Sequence, residues 1–393
     1  MKANSVRARS SGEFRGGVAF LRTLVLPGAA ALGDWLATNA LDADAARWLC
    51  THGLGPYAFR RLREAGKLDA LPAAAGELLR GAYYRAVADT VLHNRELAVA
   101  LDALTGAGIT PILFKGAALA HTVYPDPACR PMGDLDFWLT VDEMPRGQAA
   151  LSAIGYVQRH KPARPIALMM QHSGEIQMIG QHPGSGLVEL HWGAFSGEWL
   201  HRTAAVDDAA IRQRAVPVTV LGWPARLLET EDAVIQLAVH LAVNHQMAYP
   251  GLRGLLDVVL LARARDVDWV EVAGRAKGWR VGTATWLVLG LAAELFGLAT
   301  AAPAIDRLRP ARPRRWALSR FVSPRSVLGR RDLTGGPLRF VYQLLLVDRT
   351  RDAVRLVWRA LWPEDAWLVA RYGRAAGLGM RLRHLTGALR GRV

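Results

Sequence analysis

The 393-residue sequence holds two cysteines, Cys50 and Cys129, which is too few for a disulfide framework, and it has no CxxC pair or Cys/His cluster of the kind that binds zinc. It has no Walker A loop, no GxSxG elbow and no dinucleotide-type GxGxxG. No internal repeat and no low-complexity linker interrupts it. Nor is there a convincing membrane span: the most apolar stretch, 283–300, contains Glu294 and two glycines and precedes Pro303, so a buried helix is expected. Near the beginning, Glu13 and Arg22 break any apolar leader core, and a cytoplasmic location is expected. Lysine is absent from 306–393, where 20 arginines face 6 acidic residues, so this segment carries +14 of the formal net charge of +15.

What is present describes a globular chain. About half of the residues are hydrophobic (51%), and the length allows two to three domains. The basic segment could attract an anionic partner. Its arginines are interleaved with apolar residues, as in "FVYQLLLVDRTRDAVRLVWRALW", which fits Arg-rich helical faces better than a solvated tail.

Along the chain the pattern changes twice. Residues 28–107 read as helix, with Gly106 or Gly108 as the stop. "ITPILF" (109–114) reads as a buried strand, "AALAHTVY" as two helical turns and "PDPACRP" as a loop. "DLDFWLTV" reads as a second strand. "DEMPRGQAALSAIG" reads as a helix that Asp142 can cap and Gly155 ends. "GEIQMIG" (174–180) and "GLVELHWG" (186–193) form a hairpin across "QHPGSG", and "AVPVTVLG" (215–222) is a fifth strand. From about Leu227 the chain is helical again, with an apolar stripe of Leu252, Leu255, Leu256, Val259 and Leu260. The expected class is therefore α+β, a small mixed sheet flanked by helical regions. The expected boundaries are 1–83, 84–222, 223–305 and 306–393.

The chemistry-bearing residues lie in "ILFKGAALAHTVYPDPACRPMGDLDFWL" (112–139). Alternation along a strand places Asp134 and Asp136 on one face, where two carboxylates repel unless a cation joins them. A bare DxD also suits a solvated strand end or an arginine pair. Oxygen ligands of this kind suit Mg²⁺. Lys115-Gly116 follows a strand and opens a helix, so backbone N–H groups and the lysine could meet phosphate. If "LVELHW" neighbours "DLDFW", Glu189 completes a three-acid rim suited to two metal ions and phosphoryl or nucleotidyl transfer.

These blocks resemble the nucleotidyltransferase fold of the DNA polymerase β superfamily, and more closely the uncharacterised nucleotidyltransferase group. The resemblance is carried by "ILFKGAALAHTVYPDPACRPMGDLDFWLTVDEM", "IGYV", "VELHWG" and "LRGLLDVVLLARARDVDW", and runs from about Leu92 to Trp269. It implies that Asp134 and Asp136 ligate Mg²⁺, with Glu189 as third ligand or as base. It also implies that Lys115, Gly116 and Arg130 hold the phosphates of an NTP, with ATP the default donor. The superfamily loop is usually Gly-Ser; here Lys-Gly replaces it, and Lys115 must compensate for the missing hydroxyl. The implied acceptor is a hydroxyl or phosphate on a peptide, protein or saccharide, in a biosynthetic setting. Two alternatives stand beside it. One is a glycosyltransferase that uses DxD for a nucleotide sugar, against which the helical character of the first hundred residues counts. The other is a catalytically silent binding module.

Among the histidines, His191 shares a strand face with Glu189 and could orient a carboxylate, act in proton transfer or simply pack. His172 and His182 flank the hairpin turn. His240 and His245 are five apart on an expected helix, hence about 140° apart around it, which separates their rings. Asp257 is expected to make an ion pair with an arginine.

Overall fold

The computed structural model describes residues 16–159, 174–182, 185–248, 250–329, 336–373 and 377–389. His172 and two residues of the hairpin turn, Pro183 and Gly184, lie outside these. Among the described residues no helix is long and apolar enough to cross a membrane.

The architecture is α+β, as the sequence pattern indicates. Among the described residues five α-helices precede the sheet: Gly17–Leu24, Ala30–Thr38, Ala43–Thr51, Gly55–Glu64 and Ala73–Gly106. The fifth helix ties two cores together. Its first half buries Ala75, Leu79, Tyr83 and Ala86 among helices. Its second half places Leu97, Ala100, Leu101 and Leu104, at helical spacing, against the sheet. It ends at Gly106, and Gly108 takes a left-handed φ of 71° that turns the chain into the first strand.

Among the described residues the sheet has seven strands in the order β3-β4-β5-β2-β1-β7-β6. The strands are β1 (Ile112–Leu113), β2 (Asp134–Trp138), β3 (Tyr156–Arg159), β4 (Glu175–Gly180), β5 (Leu187–His191), β6 (Val216–Val220) and β7 (Trp223–Leu227). The β2–β5 and β1–β7 pairs are parallel and the others antiparallel. Five of these strands match the expected runs, although β1 keeps only two residues of 109–114 in the ladder. Two were not expected, β3 and β7. The sequence "WPARL" of β7 carries Pro224, which alone argues against a strand; β7 forms because it closes a hairpin with β6 and pairs with β1.

Pleat alternation sorts the sheet into two faces. Leu135, Phe137, Ile176, Met178, Val188 and Leu190 all belong to the core beneath one face. Their neighbours Asp134, Asp136, Glu175, Gln177, Glu189 and His191 stand on the other. Burial of the apolar rows fixes the register, because a one-residue slip would move the charges into the core.

The helix Met144–Ala153 is not capped by Asp142. Thr140 and Glu143 form a reciprocal pair instead: the Thr140 N–H donates to Glu143 Oε2 (2.7 Å) and the Glu143 N–H donates to Thr140 Oγ1 (3.2 Å). This pair closes the turn leading into the helix, whose N-cap Glu143 makes no side-chain cap bond. Further along, Thr230–Val239, Gly251–Ala264, Trp269–Gly278 and Gly282–Phe296 are helices; the last is the buried helix expected for the apolar stretch. Past position 306 the described residues of the arginine-rich segment are largely helical too. Its Leu318, Val322, Val327, Tyr342 and Leu346 belong to the same core as Phe20 and Val239.

Candidate active site

The site is assembled by register. Asp136 pairs across the parallel β2–β5 ladder with Glu189, Trp138 with His191, and Gln177 of β4 with Glu189. Glu189 therefore stands beside Asp136, as the three-acid expectation requires. Asp134 lies two residues earlier on the same face.

Lys115 opens the helix Lys115–Thr122 from a left-handed backbone with φ 54°, a conformation that costs a residue with a Cβ about 1 kcal/mol or more. That twist directs its side chain onto the acidic face. Nζ donates to Asp136 Oδ1 at 2.7 Å and lies 4.0 Å from Glu189 Oε2. The lysine is 8% exposed and its ammonium rests over the Phe114 ring. His191 Nε2 is 2.9 Å from the same Asp136 oxygen and 3.6 Å from Glu189, while its Nδ1 faces Glu175 at 3.6 Å. Gln177 donates to Glu189 Oε1 at 2.6 Å. Of the roles open to His191 from sequence, contact with a carboxylate is the one its geometry displays.

Among the described residues four acids share this face with Lys115 and His191, and their proton affinities diverge. Burial alone would raise Asp136, but Lys115 and then His191 hold it well below the usual carboxylate range. Glu189 is also lowered, burial being outweighed by the His191 hydrogen bond and Lys115. Burial and Lys115 oppose protonation of His191, yet the two carboxylates raise it. Asp134 is the odd one out. Burial, then the charges of Asp136 and Glu189, push it up to about 6.

Arg130, implied as a phosphate holder, is placed differently. Its Nη2 and Nε donate to Asp257 Oδ2 and Oδ1 (2.9 and 3.3 Å), and the Tyr124 hydroxyl donates to Asp257 Oδ1 (2.7 Å). All three are buried. This ion pair, the role expected for Asp257, joins the loop before β2 to the helix Gly251–Ala264. Gly116 lies under it: a Cβ there would come within 2.5 Å of Arg130 Nη1 and 3.0 Å of Met132 Cγ. Glycine at 116 leaves the room that the Arg130 and Met132 side chains occupy.

The histidines of the helical region depart most from expectation. Residues His240–Asn244 form a π-turn, closed by the His245 N–H donating to the His240 carbonyl at 3.0 Å. The added residue undoes the 140° separation, and the two rings meet edge to face with centroids 4.6 Å apart. His182 is exposed. The sequence reading also passed over Gln177 and Glu175 of β4, although the alternation in "GEIQMIG" marks their common face.

The donor set suits a divalent ion. Among the described residues, Asp136, Glu189 and His191 each present a ligand atom within 4.8 Å of the others. The proton affinity of Asp134, raised first by burial and then by the charges of Asp136 and Glu189, is one that a nearby cation would lower. Lys115 and His191 both meet Asp136 at Oδ1, so Oδ2 is the oxygen through which Asp136 could serve as a ligand beside them.

Residues 40–297, about two thirds of the chain, match the family described as uncharacterised nucleotidyltransferase, and the chain belongs to that family. Membership supports nucleotidyl transfer as the general activity and a nucleoside triphosphate as its class of substrate. No curated protein and no solved structure matches the chain.

Proposed function

We propose that the protein is a Mg²⁺-dependent nucleotidyltransferase that moves a nucleotidyl group from an NTP, ATP by default, to a hydroxyl or phosphate of a peptide, protein or saccharide. The observation that carries this reading is the register match of Asp136 with Glu189, two residues past Asp134 and beside the helix opened at Lys115-Gly116. Asp134, Asp136 and Glu189 would hold the metal, with His191 either as a fourth donor or as the group that fixes Asp136. A bound divalent ion supplies charge neutralisation for the triphosphate and the leaving pyrophosphate.

The rest falls to the chain's own residues. Lys115, released from Asp136, is within the same site to meet phosphate oxygens. The free N–H groups of the first helical turn, including that of Gly116, favour anionic oxygens. Arg130 contributes as a fixed positive charge near Asp134 while bonded to Asp257, and its share in holding phosphate is electrostatic. The Arg-rich helices beyond 306 are a candidate surface for an anionic partner, and the cytoplasm a fitting location.

The 2.7 Å contact of Lys115 with Asp136 favours one second reading, a silent binding module whose lysine permanently replaces the metal. One experiment separates them. Full-length protein is incubated with Mg²⁺, ATP and candidate acceptors, and products are followed by mass spectrometry alongside Mn²⁺ binding. Metal-dependent nucleotide consumption that disappears in Asp136→Asn and Glu189→Gln supports the enzyme. No metal binding and no consumption in wild type leaves the silent module.

A further inference from the structure

The helix Thr350–Leu361, "TRDAVRLVWRAL", lies in the arginine-rich segment and turns its apolar stripe outward. The residues it buries are Asp352 and Leu356. Val354, Val357 and Trp358, spaced i, i+3, i+4, stand on roughly the opposite side, with Val354 62% and Trp358 63% exposed. A surface helix ordinarily faces such a stripe to the core. Arg351 and Arg355 border it, within about 60° of Trp358 around the helix. Both reach into solvent, and each comes no nearer to Asp352 than 3.8 Å, beyond hydrogen-bond length. Trp362 stacks on Trp358 with centroids 6.4 Å apart, and the Arg381 guanidinium lies over Trp362. Among the described residues both tryptophans that are more than half exposed, Trp316 and Trp358, fall in the segment that carries +14 of the net charge.

Arginine alone would suit any polyanion. The phosphates of a nucleic acid answer guanidinium groups but give valine side chains nothing apolar to meet, and such interfaces are polar and wet. A bilayer with anionic headgroups answers both sets of residues. Its acyl boundary takes the valines and the indole body, while headgroup phosphates and carboxylates take the arginines. With 12 residues the helix is about 18 Å long, which suits lying along such an interface and not crossing an apolar core of about 30 Å.

We propose that Thr350–Leu361 is a docking face for an anionic lipid surface, with Val354, Val357 and Trp358 entering the headgroup–acyl boundary and Arg351 and Arg355 pairing with headgroup anions. The proposal rests on the reading of the Arg-rich helices as a surface for an anionic partner, and it names that partner. It is independent of nucleotidyl transfer.

The test co-sediments the full-length protein with vesicles of phosphatidylcholine alone or of phosphatidylcholine mixed with phosphatidylserine. Binding is expected to the mixed vesicles, weakened by high salt, and little to phosphatidylcholine alone. Val354→Ser combined with Trp358→Ser is expected to weaken it by about tenfold or more at an unchanged melting temperature. Arg355→Gln is expected to weaken it by about fivefold. Brominated acyl chains should quench part of the wild-type tryptophan fluorescence; this needs no variant, so its absence refutes insertion even if a substitution unfolds the helix. No binding to the mixed vesicles, or binding that the double variant leaves unchanged, overturns the proposal. So does a dimer in sedimentation velocity that the double variant dissolves, since the stripe would then join two copies of the chain. Single-stranded DNA tests the broader reading of the segment: binding to it and not to vesicles keeps an anionic partner and eliminates the lipid, and binding to neither eliminates both.

Discussion

Two buried charge clusters lie close together in this protein, and they are built on opposite principles. Around Asp257, one guanidinium and one phenol meet one carboxylate, and every charge is answered. Around Asp136, four acids share a lysine and a histidine, and Asp134 is left with its proton affinity raised to about 6. A closed pair joins elements; under the proposed function, the more acidic one is where a divalent cation would be taken up. This difference, more than burial or distance, separates architecture from site.

The comparison breaks most visibly at the closed cluster. Asp257→Ala leaves the buried Arg130 without its partner, and a loss of about 3–5 kcal/mol is expected. Denaturant unfolding should show it with or without divalent metal. A loss that Mg²⁺ restores would mean that Asp257 belongs to the site after all.

Lys115→Met makes the opposite case. It removes the main counter-charge of Asp136, so a smaller destabilisation of about 2–3 kcal/mol is expected in metal-free buffer. Millimolar Mn²⁺ should recover most of it, since the ion takes the lysine's place, and Mn²⁺ affinity by titration calorimetry should rise. Unchanged affinity would mean that the ammonium and the ion do not compete. Gly116→Ala acts on both clusters, because the new Cβ must displace Arg130 Nη1 from 2.5 Å while Asp257 holds the guanidinium. A cost of about 1–3 kcal/mol is expected. Asp134→Asn should have the reverse sign. It removes an uncompensated charge and is expected to stabilise the metal-free protein by about 1–2 kcal/mol at pH 8, while weakening metal binding.

Much of this was legible in the sequence, for identifiable reasons. Alternation in "DLDFW" and "VELHW" fixed which side chains share a face, and apolar runs on the other face made the register firm. The Asp136–Glu189 neighbourhood followed once β5 lay against β2. What could not be read depends on contacts distant in the chain. The left-handed turn at Lys115 that aims the ammonium at Asp136 rather than outward is one such feature. The engagement of Arg130 by Asp257, 127 residues away, is another. The strand β7 is held by pairing in spite of its proline. Most telling is the π-turn: nothing in "HLAVNH" announces an inserted residue, and helical periodicity alone put His240 and His245 on different faces.

That turn yields the smallest effect, and the one whose sign best sharpens the contrast. His245 is pushed down to about 4, first by burial and then by the charges of Lys115, Arg253 and Arg130. In the unfolded chain it accepts a proton near pH 6.5. Between these values the unfolded state binds more protons, so the contribution of His245 to stability is complete above about pH 6.5 and falls away as pH drops toward 4. Asp134 has the opposite sense. Its raised affinity means that the native state binds more protons between about pH 3.9 and 6, so acidification through that window favours folding. Wild type should accordingly show a shallow net pH dependence that conceals two opposed slopes. His245→Leu, compared with wild type in chelator-treated buffer from pH 7 to pH 4.5, should lose less stability on acidification. Asp134→Asn over the same range should lose more. Parallel curves for all three proteins would show that neither burial nor neighbouring charge shifts these two side chains, and the raised proton affinity of Asp134 would no longer set the open cluster apart from the closed one.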